Sequence, residues 1–305
     1  MANLLVTGHA GFVGRTLFRA SDTLARPRGW NLSALPDGFD IRDPSLVARM
    51  RERLPDAVLH LAALSNVDES VRDPELTFDV NFGGTRNLLR ALRDSGFSGR
   101  MVYVSSGDCY GTLDDDALPV NEDRALKPRN PYAVSKVAAE ALCYQWSQTE
   151  DLDIVIARPF NHVGPGQEPR FAVASFAQQI ARIVEDRSPP VVRVGNLDVT
   201  RDFTDVQDVL DAYFALLEHG RPGEVYNIGS GREVRLGDVL DALIADAGVV
   251  VEVESMLARR RGTEQRRVVA DVAKIHRDTQ WRAKTPLTST LREILLYWRQ
   301  QIRHE

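Results

Sequence analysis

Cysteine is scarce in this chain: two residues, Cys109 and Cys143, among 305. Two thiols cannot build the disulfide framework of a small secreted domain, and their spacing is not that of metal ligands. No metal site is expected, and a reducing, cytoplasmic setting is. Basic charge is not in excess either, since 38 Lys plus Arg against 43 Asp plus Glu leave a net charge of −5. Without an overall positive field, neither nucleic acid nor an anionic membrane is expected as a partner. Long hydrophobic runs are missing too. The most apolar stretch, Ala57 to Leu64, is interrupted by His60 and is far too short to span a bilayer. The first residues, MANLLVTGHAGFVGR, show neither a basic start nor an apolar stretch of leader length. Internal repeats and low-complexity segments are not found. What remains is ordinary soluble globular material, 43% hydrophobic and 27% charged, long enough for one large domain or two unequal lobes.

The first half alternates short β-rich runs with helical patterns. Strands are expected at Leu4–Thr7, Trp30–Leu35, Ala57–Ala62, Met101–Ser105 and Ile154–Arg158, with amphipathic helices at Pro44–Arg53 and Phe78–Ser95. Continuous apolar strands alternating with helices predict an α/β, Rossmann-like doubly wound sheet of parallel strands covered on both faces. Asn130-Pro131 offers an N-cap followed by proline at the first helical position, opening a helix to about Trp146. After Arg158 the texture changes. Segments Arg158–Arg170 and Arg187–Asp202 read as loop and short strand, Asp205–Glu218 as helix, and Glu224–Ile228 as a strand that rejoins the sheet. The tail from Gly231 reads as two or three helices around the basic segment Arg259–Arg267. The expected division is a dinucleotide-binding part, 1–157 plus about 203–229, and a smaller mixed α/β substrate lobe, about 158–202 plus 230–305.

Directly after the first strand comes Gly8-His9-Ala10-Gly11-Phe12-Val13-Gly14, opening a helix. Glycines at these points permit a tight turn, close approach of backbone to a pyrophosphate, and close helix–sheet packing, while the helix N-terminus supplies free N–H groups. A dinucleotide cofactor is therefore expected here. The acidic residue that would hold its adenosine ribose is not obvious; Asp37, in Leu35-Pro36-Asp37-Gly38, is the candidate. No Arg follows to claim a 2′-phosphate, so NADH and NADPH both stay open. Asp40 and Ile41, placed after a further short strand, are candidates to flank the adenine. Leu61, Ala62 and Ala63 close what reads as the fourth strand, where small residues let backbone lie along the cofactor.

Tyr132 and Lys136 stand four apart in the first turns of a predicted helix, so phenol and ammonium face one side. A neighbouring cation is expected to lower the tyrosine pKa toward working pH, making Tyr132 a general acid or base. Ser106 follows the strand Met101–Ser105, at the carboxyl edge of the sheet where such folds place ligands. Its hydroxyl is placed to hydrogen-bond a substrate carbonyl.

These features together resemble the extended short-chain dehydrogenase/reductases that act on nucleotide sugars. The resemblance rests on GxxGxxG at Gly8–Gly14, HLAA at His60–Ala63, Asn81 in DVNFGGT, SSGDCYG at Ser105–Gly111, YAVSK at Tyr132–Lys136 and RPFNHVGPGQ at Arg158–Gln167. The later segments VGNLDVTRDFTDVQDV and GEVYNIGSG are most similar to the branch that reduces GDP-linked 4-keto-6-deoxy sugars, a close relative of the GDP-mannose dehydratases. The resemblance implies Ser106, Tyr132 and Lys136 as catalytic residues, with Tyr132 and Lys136 also meeting the cofactor and Lys136 placed to hold the nicotinamide ribose hydroxyls. It implies Gly8, Gly11, Phe12, Val13 and Gly14 as cofactor contacts, with Pro159 and His162 at the nicotinamide end. Asp108, Asn161, Arg193, Arg201, Arg261 and Glu264 would meet a GDP-linked substrate, the last two in RGTE, where Gly262 replaces the family's proline. Arginine suits a pyrophosphate because its planar fork is permanently charged.

The resemblance also implies a homodimer through the helices at Phe78–Ser95 and Tyr132–Trp146. Where the dehydratases hold a glutamate base, three positions before the glycine of a YG pair, this chain has Asp108. They also usually place threonine where it has Ser106. Both departures favour NAD(P)H-dependent reduction of a C4 ketone over dehydration. Cys109, next to Asp108, reads as a packed thiol rather than half of an epimerising pair, and His60 as a strand histidine. The alternatives are a dehydratase or epimerase on another nucleotide sugar, and a non-catalytic cofactor-sensing protein.

Overall fold

The computed structural model describes residues 1–256 and 265–305. Its centre is a sheet in which β1 (Ala2–Thr7), β2 (Trp30–Ala34), β3 (Ala57–His60), β4 (Arg100–Val104), β5 (Asp153–Pro159) and β9 (Val225–Ile228) stand in the order β2-β1-β3-β4-β5-β9. Every pairing in it is parallel. The connecting helices are α1 (Phe12–Arg19), α2 (Ser21–Leu24), α3 (Leu46–Glu52), α4 (Val67–Arg72), α5 (Pro74–Phe78), α6 (Gly84–Asp94) and α7 (Pro131–Thr149). The alternation of side chains along each strand explains why these runs are apolar throughout. Leu4, Val6, Leu59, Val102 and Val155 enter one core, while Leu5, Val58, Met101, Tyr103 and Ile154 enter the other.

The strand order reverses between β1 and β3, because the chain first steps outward to β2 and then returns past β1. In doubly wound sheets the crevice at that reversal takes the ligand. Among the described residues no strand lies between Ala34 and Ala57, so the strand ahead of Leu61 is third, not fourth, and Asp40-Ile41 follows a loop. The stretch read as one helix from Phe78 to Ser95 is helical to Asp94 but widens within its first turns. Asp73 caps α5, accepting from the Leu76 N–H at 2.9 Å, and a π-turn at Asp79–Gly83 precedes α6. The wider turn carries Asn81 inward, where it is 1% exposed and pairs with both backbone groups of Leu64.

Beyond β5 the chain builds a second layer system. β6 (Asn161–Val163), β8 (Thr200–Asp205) and β10 (Glu233–Arg235) form one small sheet, with β8 central, parallel to β6 and antiparallel to β10. β7 (Val191–Val194) pairs with β11 (Glu252–Ser255). Helices α8 (Ala172–Val184), α10 (Leu236–Ala247) and α12 (Leu287–Arg303) bury Phe176, Ile180, Leu240, Leu243, Leu291 and Leu295 against one another. Helix α8 was not anticipated, since it has no side-chain cap and no acidic residue in its first turn to announce it. Two elements return to the large sheet: α9 (Val206–His219) and α11 (Ala273–Thr279). Tyr213 and Phe214 from α9, Ile275 from α11 and the following Trp281 join its first core.

Candidate active site

The glycine cradle lies at the reversal of the sheet. Gly8 has φ +71°, and a Cβ there would stand 2.7 Å from the Ala62 nitrogen. Gly14 meets a second constraint, since its Cβ would fall 2.5 Å from the Gly8 carbonyl oxygen. Neither position admits a side chain without moving backbone. Gly11 caps α1 with no side chain on the first turn's N–H groups, which leaves them for an anion. The cradle therefore fits a dinucleotide pyrophosphate. Phe12 and Val13 open the helix, and the Phe12 ring stacks parallel to His162 at 6.2 Å. His162 donates through Nδ1 to the Phe160 carbonyl at 3.1 Å, and burial pushes its pKa down. Gly164 lies against Phe12, so the loop after Pro159 closes over the cradle.

A chain of hydrogen bonds fixes the strand ends beside the cradle. Thr85 donates to the Asn81 carbonyl at 2.6 Å and so accepts from His60 Nε2 at 2.9 Å. That leaves Nδ1 to accept from the Thr7 hydroxyl at 2.7 Å, while Thr7 accepts from the Ala62 N–H at 3.2 Å. Each hydroxyl has one proton, so the order sets the histidine tautomer. His60 is 1% exposed, and burial with Lys136 nearby brings its pKa down to about 3. It is a neutral structural histidine. Ile41 is also buried: its side chain is 6% exposed and packs on Gly84. Asp40 is gripped by Arg42, with Nη2 at 2.6 Å, and this holds its carboxyl below the usual range.

The predicted trio converges. Asn130 accepts from the Ala133 N–H at 2.8 Å and Pro131 occupies the first turn, so α7 starts where Tyr132 reaches the carboxyl end of β4. Ser106 accepts from the Asp108 N–H at 3.1 Å, and its hydroxyl is near enough to the Tyr132 phenol to favour the phenol's ionised form. Lys136 donates through Nζ to the Val104 carbonyl at 2.7 Å and lies over the Tyr103 ring. Tyr132 is 8% and Lys136 4% exposed, so the site is nearly dry.

The electrostatics differ from expectation. Burial, with the Asp108 and Cys109 groups adding to it, raises the Tyr132 pKa well above its ordinary value, and the Ser106 hydroxyl offsets only part of this. Lys136, bound to backbone, does not supply the expected lowering; burial instead brings its own pKa down to about 8. Desolvation, not the four-residue spacing, sets both values. Cys109 is fully buried with its thiol pushed up to about 12, the packed thiol expected of it.

Beneath the trio lies a polar cluster with no local sequence signal. Arg158 binds Glu140 through Nη2 at 2.6 Å and Nε at 3.0 Å, with both side chains 6% exposed or less. Its Nη1 donates to the Tyr110 hydroxyl at 3.0 Å, and Tyr110 donates to Asn227 at 2.7 Å. Three elements (α7, β5, β9) and the loop after Ser106 are thereby joined.

On the substrate side, Asn161 is directly across from Phe203 in the β6–β8 register. Arg201 stands two residues before Phe203, so Asn161 and Arg201 share one face of the small sheet. Asp108 is exposed next to Ser106. Arg193 is apart from these on β7, where its Nε pairs with Glu254 at 3.0 Å on an exposed surface. Arg261 and Glu264 lie outside the described residues.

A sequence profile described as GDP-mannose 4,6 dehydratase matches residues 37–294. The GDP-6-deoxy-D-mannose reductase of Pseudomonas aeruginosa is 45% identical over 302 residues, which cover 99% of both chains. Among solved structures, RMD from Pseudomonas aeruginosa complexed with NADPH superposes with a TM-score of 0.94 at 44% identity, covering 99% of this chain and 100% of that one. The UDP-glucose 4-epimerase of Thermus thermophilus in complex with NAD matches with a TM-score of 0.85 at 29% identity, covering 97% and 99%.

Proposed function

We infer the function from a plain premise: this chain belongs to the GDP-mannose 4,6-dehydratase family of extended short-chain dehydrogenase/reductases. Within that family it is an NAD(P)H-dependent oxidoreductase that reduces the C4 ketone of GDP-4-keto-6-deoxy-D-mannose to GDP-D-rhamnose. The observation that carries this reading is the full-length 45% identity to a reductase of that sugar. The Ser106–Tyr132 pair and Lys136 beside an open glycine cradle support it chemically.

Gly8, Gly11 and Gly14 would hold the dinucleotide pyrophosphate, with Phe12, Val13, Leu61, Ala62, Ala63, Pro159 and His162 along its length. When bound, the reduced nicotinamide supplies the hydride that adds to C4. The chain's own residues handle the oxygen. Ser106 and Tyr132 donate hydrogen bonds to the ketone oxygen, and Tyr132 passes its proton to it as negative charge develops there. Lys136, whose ammonium is held by the Val104 carbonyl, would bind the nicotinamide ribose hydroxyls from the same helix. Near-dry surroundings strengthen each of these interactions. Asn161 and Arg201 would hold the nucleotide-sugar from the small sheet. Asp108, one methylene shorter than the dehydratases' glutamate and exposed, would orient the sugar without serving as a C5 base, because reacting atoms must approach to within about 3.5 Å.

The test is direct. Purified protein with GDP-4-keto-6-deoxymannose should consume NADPH or NADH, and with GDP-mannose should produce no keto sugar. Conversion of GDP-mannose would make Asp108 a working base and the dehydratase reading correct. The pH profile is a second check. Lys136 holds its proton below about 8 and loses it above, so kcat/KM for the keto sugar should fall as pH rises through about 8. Tyr132, raised in pKa, remains protonated throughout that window and adds no limb of its own. A profile flat from pH 7 to 9 would remove Lys136 from its role.

Exposed apolar side chains gather on α4, α5 and α7: Val71, Leu76, Phe78, Val134 and Tyr144. Singly they mean little, but grouped on adjoining helices they suit a homodimer interface. Light scattering should give twice 34.0 kDa for the wild type and a monomer for Phe78→Glu/Tyr144→Glu. A wild-type monomer would refute the assembly. Among the described residues no helix is long and apolar enough to cross a membrane. Cys109 and Cys143 are free and buried, which suits a reducing compartment such as the cytoplasm.

A further inference from the structure

His9 follows Gly8 in the cradle, and its Nε2 lies 2.7 Å from Asp37 Oδ1. Asp37 stands three residues past the end of β2 at Ala34. In a doubly wound sheet that place belongs to the adenosine ribose, where a carboxylate accepts from the 2′-hydroxyl and repels a 2′-phosphate. The two side chains differ sharply in setting. The imidazole is 23% exposed, with its ring edge-on to Phe18 at 6.1 Å, whereas the Asp37 side chain is 95% exposed. A polar contact to so exposed a carboxylate adds little to stability, so its placement beside the cradle is better explained by a ligand. Arg42, the basic residue of the loop from Leu35 to Ser45, is bound to Asp40 through Nε and Nη2. Among the described residues, the nitrogen that meets the Asp37 carboxylate is His9 Nε2.

We propose that His9 is the residue that lets this chain accept a 2′-phosphorylated dinucleotide despite a carboxylate at the ribose position. Against a 2′-hydroxyl, His9 orients Asp37 as the acceptor. Against a 2′-phosphate, the imidazole turns its N–H from the carboxylate to the phosphate. Asp37 thus favours the unphosphorylated cofactor and His9 the phosphorylated one, and their pairing admits both. The inference rests on reading the cradle as a nicotinamide-dinucleotide site.

Binding is measured by calorimetry on the full chain with two probes, 5′-AMP and adenosine 2′,5′-bisphosphate. His9→Ala should raise the ratio of the bisphosphate dissociation constant to that of 5′-AMP about tenfold, the loss of one hydrogen bond to an anion. Asp37→Asn should move the bisphosphate the other way, toward tighter binding. An unchanged ratio of the two dissociation constants in His9→Ala, with 5′-AMP still bound, would overturn this inference alone. So would weaker bisphosphate binding in Asp37→Asn. A wild type that binds neither probe would overturn the cradle reading and this inference together.

Discussion

Tyr132→Phe is expected to lower kcat for the 4-keto sugar by about 10²–10⁴-fold, the range that a positioned general acid contributes. The substitution removes one hydroxyl and keeps the ring, so the packing around an 8%-exposed side chain is preserved. The start of α7 does not depend on that hydroxyl. Asn130 and Pro131 hold the first turn, and Ser135 donates to the Tyr132 carbonyl at 2.7 Å. Dinucleotide affinity, measured by fluorescence titration, should therefore stay near the wild-type value while turnover collapses. If Ser106 and Tyr132 act on one substrate oxygen as proposed, the double variant Ser106→Ala/Tyr132→Phe should lose little more than Tyr132→Phe alone. Near wild-type kcat for Tyr132→Phe would move the proton donor elsewhere, and Asp108 would be next to test.

The second large effect is on stability. Glu140→Ala should cost about 3–5 kcal/mol, because it leaves the Arg158 guanidinium buried without its counter-charge. Its hydrogen bonds to the Tyr110 hydroxyl and the Glu122 carbonyl, at 3.0 and 3.4 Å, cannot replace a carboxylate. A loss of that size is a large part of the roughly 5–15 kcal/mol by which such proteins are stable. Urea unfolding should show a midpoint well below that of the wild type. The pair itself need not be stabilising. Glu140→Leu/Arg158→Met, which removes both charges at similar volume, should recover most of the loss. An unchanged urea midpoint for Glu140→Ala would show that water reaches Arg158. Activity should fall with stability in the single variant, since Arg158 and Tyr110 hold the loop that follows Ser106.

These two predictions draw on different levels of the molecule. Tyr132 was legible because its requirements are local. A Pro-started helix with tyrosine and lysine four apart, and a serine at a strand's carboxyl end, follow from spacing alone. Gly8 and Gly14 were legible for the same reason, as no side chain can occupy a left-handed turn pressed against Ala62 or a helix turn pressed against Gly8. The Arg158–Glu140 pair carried no such signal. Arg158 sits in a motif that suggested ligand binding along its length, yet its guanidinium turns inward to a helix 18 residues earlier in the chain. Likewise, Arg193 matched the chemistry of a pyrophosphate contact, but the pairing of β7 with β11 sets it beside Glu254.

The sequence by itself determined the class of fold and the cradle and singled out Ser106, Tyr132 and Lys136 as candidates, because hydrophobic periodicity, glycine geometry and helical spacing act over a few residues. Only the tertiary structure decided the charge states and partners. The ionisation of Tyr132 and Lys136 depends on how much water the assembled sheet edge excludes, and the Lys136 ammonium reaches Val104 rather than the phenol. Asp37 acquires its imidazole across 28 residues, and His60 its two threonines across 53 and 25. Such contacts form only when distant segments meet, and the dielectric they meet in is a property of the folded whole.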